Sequence, residues 1–299
     1  MAVSNRVRAH DDVRRDRQSR LARRARARLR TSTVASYAGL CVCAAIVGFP
    51  LFWMLTGAFK PEAEIQGIPA TILPVHGTVD NFGQLFGAFN FGPYFWNSTW
   101  LAVVRAGMPA VTSALCGYVL AKIPFRGRGI VFLGVLATML LPGAITLIPS
   151  YILMFRLGWI GTYWPLIVPS VFSPYAIFLM RQLMQRLPDE TLDAARIDGA
   201  SEWGLFRRIA LPSMTPGIAA VFILTFIWAW DDFVWPLMVL NDQSMYTLPI
   251  GLASFTLQHY TLFGPLLAGS VVTTIPVIVV FYLGQRQIVD SGLFAGLKL

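Results

Sequence analysis

Long uncharged stretches alternate with short charged segments along the chain. No Asp, Glu, Lys or Arg occurs in 31–59, 81–104, 129–155, 157–180, 209–230 or 243–285, and each stretch exceeds the roughly 18 residues that a bilayer core requires. A helix crossing about 30 Å takes roughly 20 residues. This rule predicts six transmembrane helices, at 34–57, 95–121, 130–154, 162–183, 213–238 and 264–285. The expected fold class is all-α, a polytopic membrane protein. Composition points the same way, with 56% hydrophobic and 13% charged residues against roughly a quarter charged in a soluble domain.

Arginine and lysine in the connecting segments set orientation, being richer on the cytoplasmic side. They concentrate in 1–30, 122–129, 184–212 and 286–299, whereas 58–94 holds Lys60 alone, 155–161 Arg156 alone and 239–263 none. Both termini are therefore expected in the cytoplasm, with the chain multi-pass in the cell membrane. Eleven arginines between positions 6 and 30, set against Asp11, Asp12 and Asp16, give that tail +8 of the net +9. The basic balance thus belongs to the tail. Such a tract beside a span sets topology and meets anionic membrane lipid, and no nucleic-acid partner is expected. The apolar run after Arg30 is too long for a cleaved signal peptide.

Pro50, Pro109, Pro142, Pro149, Pro165, Pro169, Pro174 and Pro276 fall inside the spans. Each leaves a backbone carbonyl to be satisfied inside the bundle or in a wet cavity, so the fourth span, with three of them, is expected to kink. Packing and transport alike accommodate such kinks. Arg105, inside the second span, needs a partner, water or a nearby helix end. The outer segment 60–92, with Pro61, Pro69 and Pro74, reads as a loop domain of modest size. Cys41, Cys43 and Cys116 offer no disulfide framework, and His10, His76 and His259 lack ligand spacing. No metal site and no cofactor is expected.

The cytoplasmic segment between spans four and five carries the most pattern. Pro188 suits a first helical position, and Asp189 and Glu190 complement the positive end of the helix dipole, so a short helix is predicted from there to about Ile197. Gly199 can take the left-handed conformation that ends it, and Ser201 can cap the next. Trp203, Phe206 and Ile209 then fall on one side before Leu211-Pro212. The result is a helix–turn–helix along the membrane surface. Ala194 and Ala195 give it a shallow face, and Asp193, Arg196 and Asp198 surround that face with charge. Docking against a second protein and resting on lipid headgroups both suit such a segment.

Asp193-Ala194-Ala195, then Gly199, then Ile209-x-Leu211-Pro212 resemble the EAA loop of ATP-binding-cassette importer permeases. Phe125-Arg126-Gly127-Arg128-Gly129, Leu141-Pro142, Ala195-Arg196-Ile197-Asp198-Gly199-Ala200-Ser201, Trp230-Asp231-Asp232-Phe233 and Tyr246-Thr247-Leu248-Pro249 extend the resemblance over roughly 35–299 to the MalG-type carbohydrate permease subfamily. It implies a type I importer permease fold, organised as a tail 1–30, a transmembrane domain 31–299 and, within it, a coupling loop 186–212. It also implies a second homologous permease subunit, an ABC ATPase dimer and an extracytoplasmic sugar-binding protein as partners. Asp193, Ala194, Ala195, Asp198, Gly199, Leu211 and Pro212 would couple to the ATPase. The family usually has glutamate where Asp193 stands; Arg105 and the long tail also depart from its usual pattern.

No G-x-x-x-x-G-K-[ST] phosphate loop occurs, the lysines being Lys60, Lys122 and Lys298. The chain is expected to be a non-catalytic subunit whose partner hydrolyses ATP. In span five, Trp228, Asp231, Asp232 and Trp235 follow an i, i+3, i+4, i+7 spacing that places them on one helical face. Indoles stack on sugar rings and carboxylates accept hydroxyl protons, which suits a translocation path; an interfacial aromatic belt suits the same residues. A polytopic membrane enzyme would have to rely on Asp231 and Asp232 without a nearby histidine. An ATP-independent secondary transporter would not need the 189–211 module.

Overall fold

The computed structural model describes residues 36–88, 91–258 and 262–290, so the arginine-rich tail lies outside the described residues. The chain divides into two compact units, 1–56 and 57–299. Helix α1 (Ser36–Gly57) makes up the described part of the first. It is apolar throughout, and Phe49 and Trp53 meet along it with ring centroids 6.0 Å apart.

The second unit starts with two short outer-segment helices, α2 (Glu62–Ile65) and α3 (Asp80–Ala88). The 32-residue α4 (Phe91–Lys122) follows, then α5 (Arg128–Met139) and α6 (Gly143–Arg156). After α7 (Trp164–Ile167) and α8 (Pro174–Met184) come the surface helices α9 (Asp189–Ile197), α10 (Glu202–Leu205) and α11 (Leu211–Ser213). The chain ends in α12 (Thr215–Trp230), α13 (Val234–Val239), α14 (Leu248–Gln258) and α15 (Phe263–Asp290). Among the described residues four helices are long and apolar enough to cross a membrane, and two bent pairs bring the number to six.

Helix α4 is the axis, packed along both α8 and α12. Small residues permit this: a Cβ on Gly117 would lie 2.6 Å from Met180 Cβ and 2.9 Å from the Arg181 backbone nitrogen. One core cluster sits where α4 and α8 meet the surface helices and includes Tyr118, Met180, Met184, Leu192 and Leu205. A second joins Leu85, Phe91, Phe226, Trp230 and Leu248.

The breaks differ from the predicted spans in ways that prolines explain. Span three bends by 100° between α5 and α6, where Pro142 lacks the N–H to continue α5 and its ring disfavours a helical Leu141. Span four breaks at Pro169 and Pro174, and Ser173 Oγ caps α8 by accepting from Ala176 N at 3.3 Å. Span five stops at Trp230 and resumes at Val234. A helix through Pro236 would strike the Asp232 carbonyl four residues back; Pro236 is instead placed in the first turn of α13, where no N–H is needed. Residues Trp228, Asp231, Asp232 and Trp235 therefore do not share one helical face, a correction to the spacing argument. Helix α14 lies within 239–263, the connecting segment between spans five and six.

Charge organises the outer segment. Glu62 accepts from the N–H groups of Phe263 (3.1 Å) and Gly264 (2.9 Å), capping α15. Asn81 Nδ2 donates to the carbonyls of Ala58 (2.9 Å) and Lys60 (2.8 Å). Glu64 gathers the loop between α2 and α3, accepting from Val75 N (2.8 Å), Thr71 Oγ1 (2.7 Å) and His76 N (3.2 Å). Buried Lys60 donates to the Thr71 carbonyl.

Candidate functional site: a surface elbow and a polar break

Helices α9 to α11 form an elbow. Pro188 holds an extended conformation before α9, and Asp189 and Glu190 occupy its first turn. The helix ends in a complete Schellman motif: Gly199 has φ +84°, its N–H donates to Arg196 O (3.0 Å), and Ala200 N–H donates to Ala195 O (3.0 Å). Nothing lies within 4 Å of where a Gly199 Cβ would be, so backbone conformation rather than crowding selects glycine. Ser201 Oγ then accepts from Gly204 N at 3.2 Å and starts the second limb.

That limb contains a π-type turn over Phe206–Ala210. Trp203 and Phe206 meet on one side as expected, ring centroids 5.4 Å apart, but that side is not uniformly buried: Trp203 is 62% exposed, Phe206 is 6% exposed and Ile209 is half-buried. Buried Leu192 and Leu205 anchor the two limbs instead. The predicted coupling residues divide in the same manner. Asp193, Ala194, Asp198, Gly199 and Pro212 are exposed, whereas Ala195 and Leu211 are half-buried against the core. The shallow open face is thus Ala194 without Ala195, flanked by exposed Ile197.

Arg196 crosses the inside of the elbow. Its Nη1 donates to Asp193 Oδ1 at 2.7 Å and its Nε to Glu202 Oε1 at 2.8 Å. These two acceptors hold the guanidinium more firmly protonated than usual. Beneath, Tyr118 donates its hydroxyl to Glu202 Oε2 at 2.8 Å, and Lys122 Nζ donates to Leu187 O (2.5 Å) and Asp189 Oδ1 (2.6 Å). The Lys122 hydrogen bond and charge draw the Asp189 carboxyl below its ordinary pKa. Tyr118, Lys122 and Glu202 are contacts that sequence reasoning missed; the one available signal was the i, i+4 spacing of Tyr118 and Lys122 at the end of a span.

The second locus is the break after α12. Arg105 Nη2 donates to Asp232 Oδ2 at 2.8 Å, with the two side chains 16% and 21% exposed, and Arg105 Nε is buried without a hydrogen-bond partner among the described residues. Asp231 is exposed and lines a cavity of about 480 Å³ with Pro249, Leu252, Ser270, Thr273 and Thr274. Trp228 is 56% exposed and stands edge-on to Tyr175, centroids 5.4 Å apart. Trp235 Nε1 donates to Pro165 O at 3.0 Å, tying α13 to α7. Of the four path residues the sequence suggested, Asp231 faces this cavity, while Asp232 and Trp235 are committed to internal contacts.

Residues 113–291 match the model of the family described as binding-protein-dependent transport system inner membrane component. The chain is 38% identical over 275 residues to the arabinooligosaccharides transport system permease protein AraQ of Halalkalibacterium halodurans, covering 90% of this chain and 99% of that one. It is 30% identical over 268 residues to the lactose transport system permease protein LacG of Rhizobium radiobacter, covering 89% and 97%. Among solved structures, a chain of a bacterial ABC transporter involved in the import of the acidic polysaccharide alginate superposes with a TM-score of 0.77 at 20% identity, over 87% of this chain and 97% of that one.

Proposed function

The chain belongs to the binding-protein-dependent transport system inner membrane component family, and on that premise we propose that it is a non-catalytic permease subunit of an ATP-driven importer for sugars or oligosaccharides. It works in the cell membrane with both termini in the cytoplasm. Its partners are a second homologous permease subunit, an ABC ATPase dimer and an extracytoplasmic sugar-binding protein. The substrate class is drawn from relatives that carry arabino-oligosaccharides and lactose.

One observation carries this reading: an elbow braced from inside by Arg196 turns an exposed face of Asp193, Ala194, Ile197, Asp198 and Gly199 away from the core. An ATP-independent secondary transporter would not need such a face. The ATPase subunit receives it, and ATP-driven closure of the ATPase pair pulls the elbow. The permease then alternates between outward- and inward-open states, driven by the difference in docking free energy between them. Asp193 stands already paired to Arg196, so its carboxylate shapes the face rather than reaching far beyond it. Sugar passes the break after α12, where the Asp231 carboxylate and the hydroxyl oxygens of Ser270, Thr273 and Thr274, whose protons go to carbonyls of their own helix, offer acceptors to the hydroxyls of a polyol.

Purification of the tagged chain from its native membrane tests the proposal. The expected result is an assembly containing an ATPase, with ATP-dependent sugar uptake after reconstitution and a cysteine at Asp198 crosslinking to the ATPase. Recovery of the chain without any ATPase, or uptake by the isolated chain, overturns it.

A further inference from the structure

Helix α4 holds both limbs of the elbow from below. Tyr118, 2% exposed, reaches Glu202 at the start of the second limb at 2.8 Å. One turn on, Lys122, its side chain 4% exposed, reaches the Leu187 carbonyl and Asp189 at the start of α9. A phenylalanine would fill the same apolar site among Met184, Leu192 and Leu205, so core packing leaves the hydroxyl unexplained. Its partner Glu202 also accepts from Arg196, which holds Asp193. The same α4 carries Arg105 about four turns from Tyr118, paired with Asp232 at the α12–α13 break beside Asp231.

We propose that Tyr118 and Lys122 are positioning residues that transmit displacement of the elbow to α4, and through Arg105 to the polar break. The inference rests on the permease reading above and adds the path by which the pull travels. Apolar side chains can slide past one another, whereas hydrogen bonds weaken steeply with distance and angle. The exposed ion pairs of Arg196 contribute little stability; they keep the elbow in one geometry so that Glu202 moves when Asp193 moves. The chain of contacts is physically continuous from the docking face to the cavity, and only a coupling measurement establishes it as a path.

The experiment uses the intact assembly with its ATPase subunits, in a background lacking Cys41, Cys43 and Cys116. Nitroxide labels at Trp96→Cys, on the outer end of α4, and Ile72→Cys, in the outer segment, report their separation with and without ATP and vanadate. In the parent assembly the nucleotide shifts the distance distribution; a parent that shows no shift, or that recovers no ATPase, overturns the permease reading itself. In Tyr118→Phe the ATPase stays bound and the nucleotide-dependent shift in populations shrinks by about tenfold, the weight of one hydrogen bond to a charged group. Glu202→Gln, which weakens the Tyr118 and Arg196 contacts together, reduces the shift at least as far as Tyr118→Phe does. A shift in Tyr118→Phe equal to the parent's, or loss of the ATPase from that variant, overturns the transmission role.

Discussion

Arg105 of α4 meets Asp232 at 2.8 Å, with both side chains mostly withdrawn from solvent. The contact joins two elements 127 positions apart in sequence and pins the non-helical turn between α12 and α13. It leaves Asp231 as the carboxylate of the pair that faces the cavity.

Removing one partner strands the other charge. Asp232→Asn or Arg105→Met is expected to destabilise the detergent-solubilised protein by about 2 kcal/mol, between the small value of an exposed pair and the larger cost of breaking a buried one. The double variant Arg105→Met, Asp232→Asn should recover part of that loss. Thermal unfolding of the four proteins checks this, and strictly additive losses would mean that the pair does not interact.

Gly199 tests conformation apart from crowding. With φ +84° and open space around it, Gly199→Val is expected to cost roughly 1–2 kcal/mol locally and to displace the second limb. ATP-dependent uptake should fall steeply. Gly199→Asn, which tolerates the left-handed region, should retain more uptake than Gly199→Ala. Equal uptake in all three would refute the backbone argument.

Gly117 and Gly217 form a contrasting pair. At Gly117 an added methyl meets the Met180 and Arg181 backbone at under 3.0 Å, whereas at Gly217 it meets the movable Leu183 Cδ1 at 2.4 Å. Gly117→Ala should therefore cost about 1–3 kcal/mol by forcing α4 and α8 apart, and Gly217→Ala less. Melting temperatures of the two purified variants decide the order.

The elbow was legible because its signals are local. Pro188, the acidic first turn, Gly199 and Ser201 each act on their own backbone, and α9 ends where they indicate. The π-type turn at Phe206–Ala210 was not legible, since nothing in the local spacing marks it and its residues Phe206 and Ala210 are buried in the core. The break after Trp230 was half legible. Pro236 forbids a continuous helix, but the uncharged run up to Trp230 and the regular spacing of Trp228 to Trp235 masked it. Long-range partners such as Tyr118–Glu202 and Arg105–Asp232 leave no mark on periodicity at all.

Acid should loosen the outer segment late. The N–H of Val75 and the hydroxyl of Thr71, with the N–H of His76 and the nearby Lys60 charge, hold the Glu64 carboxyl below its ordinary pKa. A depressed folded value means that this contribution is in place above the ordinary glutamate range and is lost as pH falls through the folded value. Proteolysis within 65–79 is thus expected to stay slow down to the ordinary glutamate range and to accelerate below it. Glu64→Gln should be cleaved faster at neutral pH with little change on acidification. Unchanged cleavage in that variant would show that Glu64 does not hold the loop.

The adjacent aspartates should separate binding from architecture. Among the described residues the Asp231 carboxylate meets no hydrogen-bond donor, and it opens onto a cavity of about 480 Å³, within the range of small-molecule sites. Asp231→Asn keeps size and shape while weakening the acceptor for a sugar hydroxyl. It is expected to leave the melting temperature near the parent's and to reduce apparent affinity in uptake of the radiolabelled sugar that the assembly transports by about tenfold, the weight of one hydrogen bond to a charged group. Asp232→Asn should do the reverse, lowering stability first. If Asp231→Asn transports with unaltered affinity and selectivity, the carboxylate belongs to the membrane interface rather than to the sugar path, because an interfacial residue tolerates loss of its charge while a binding acceptor does not.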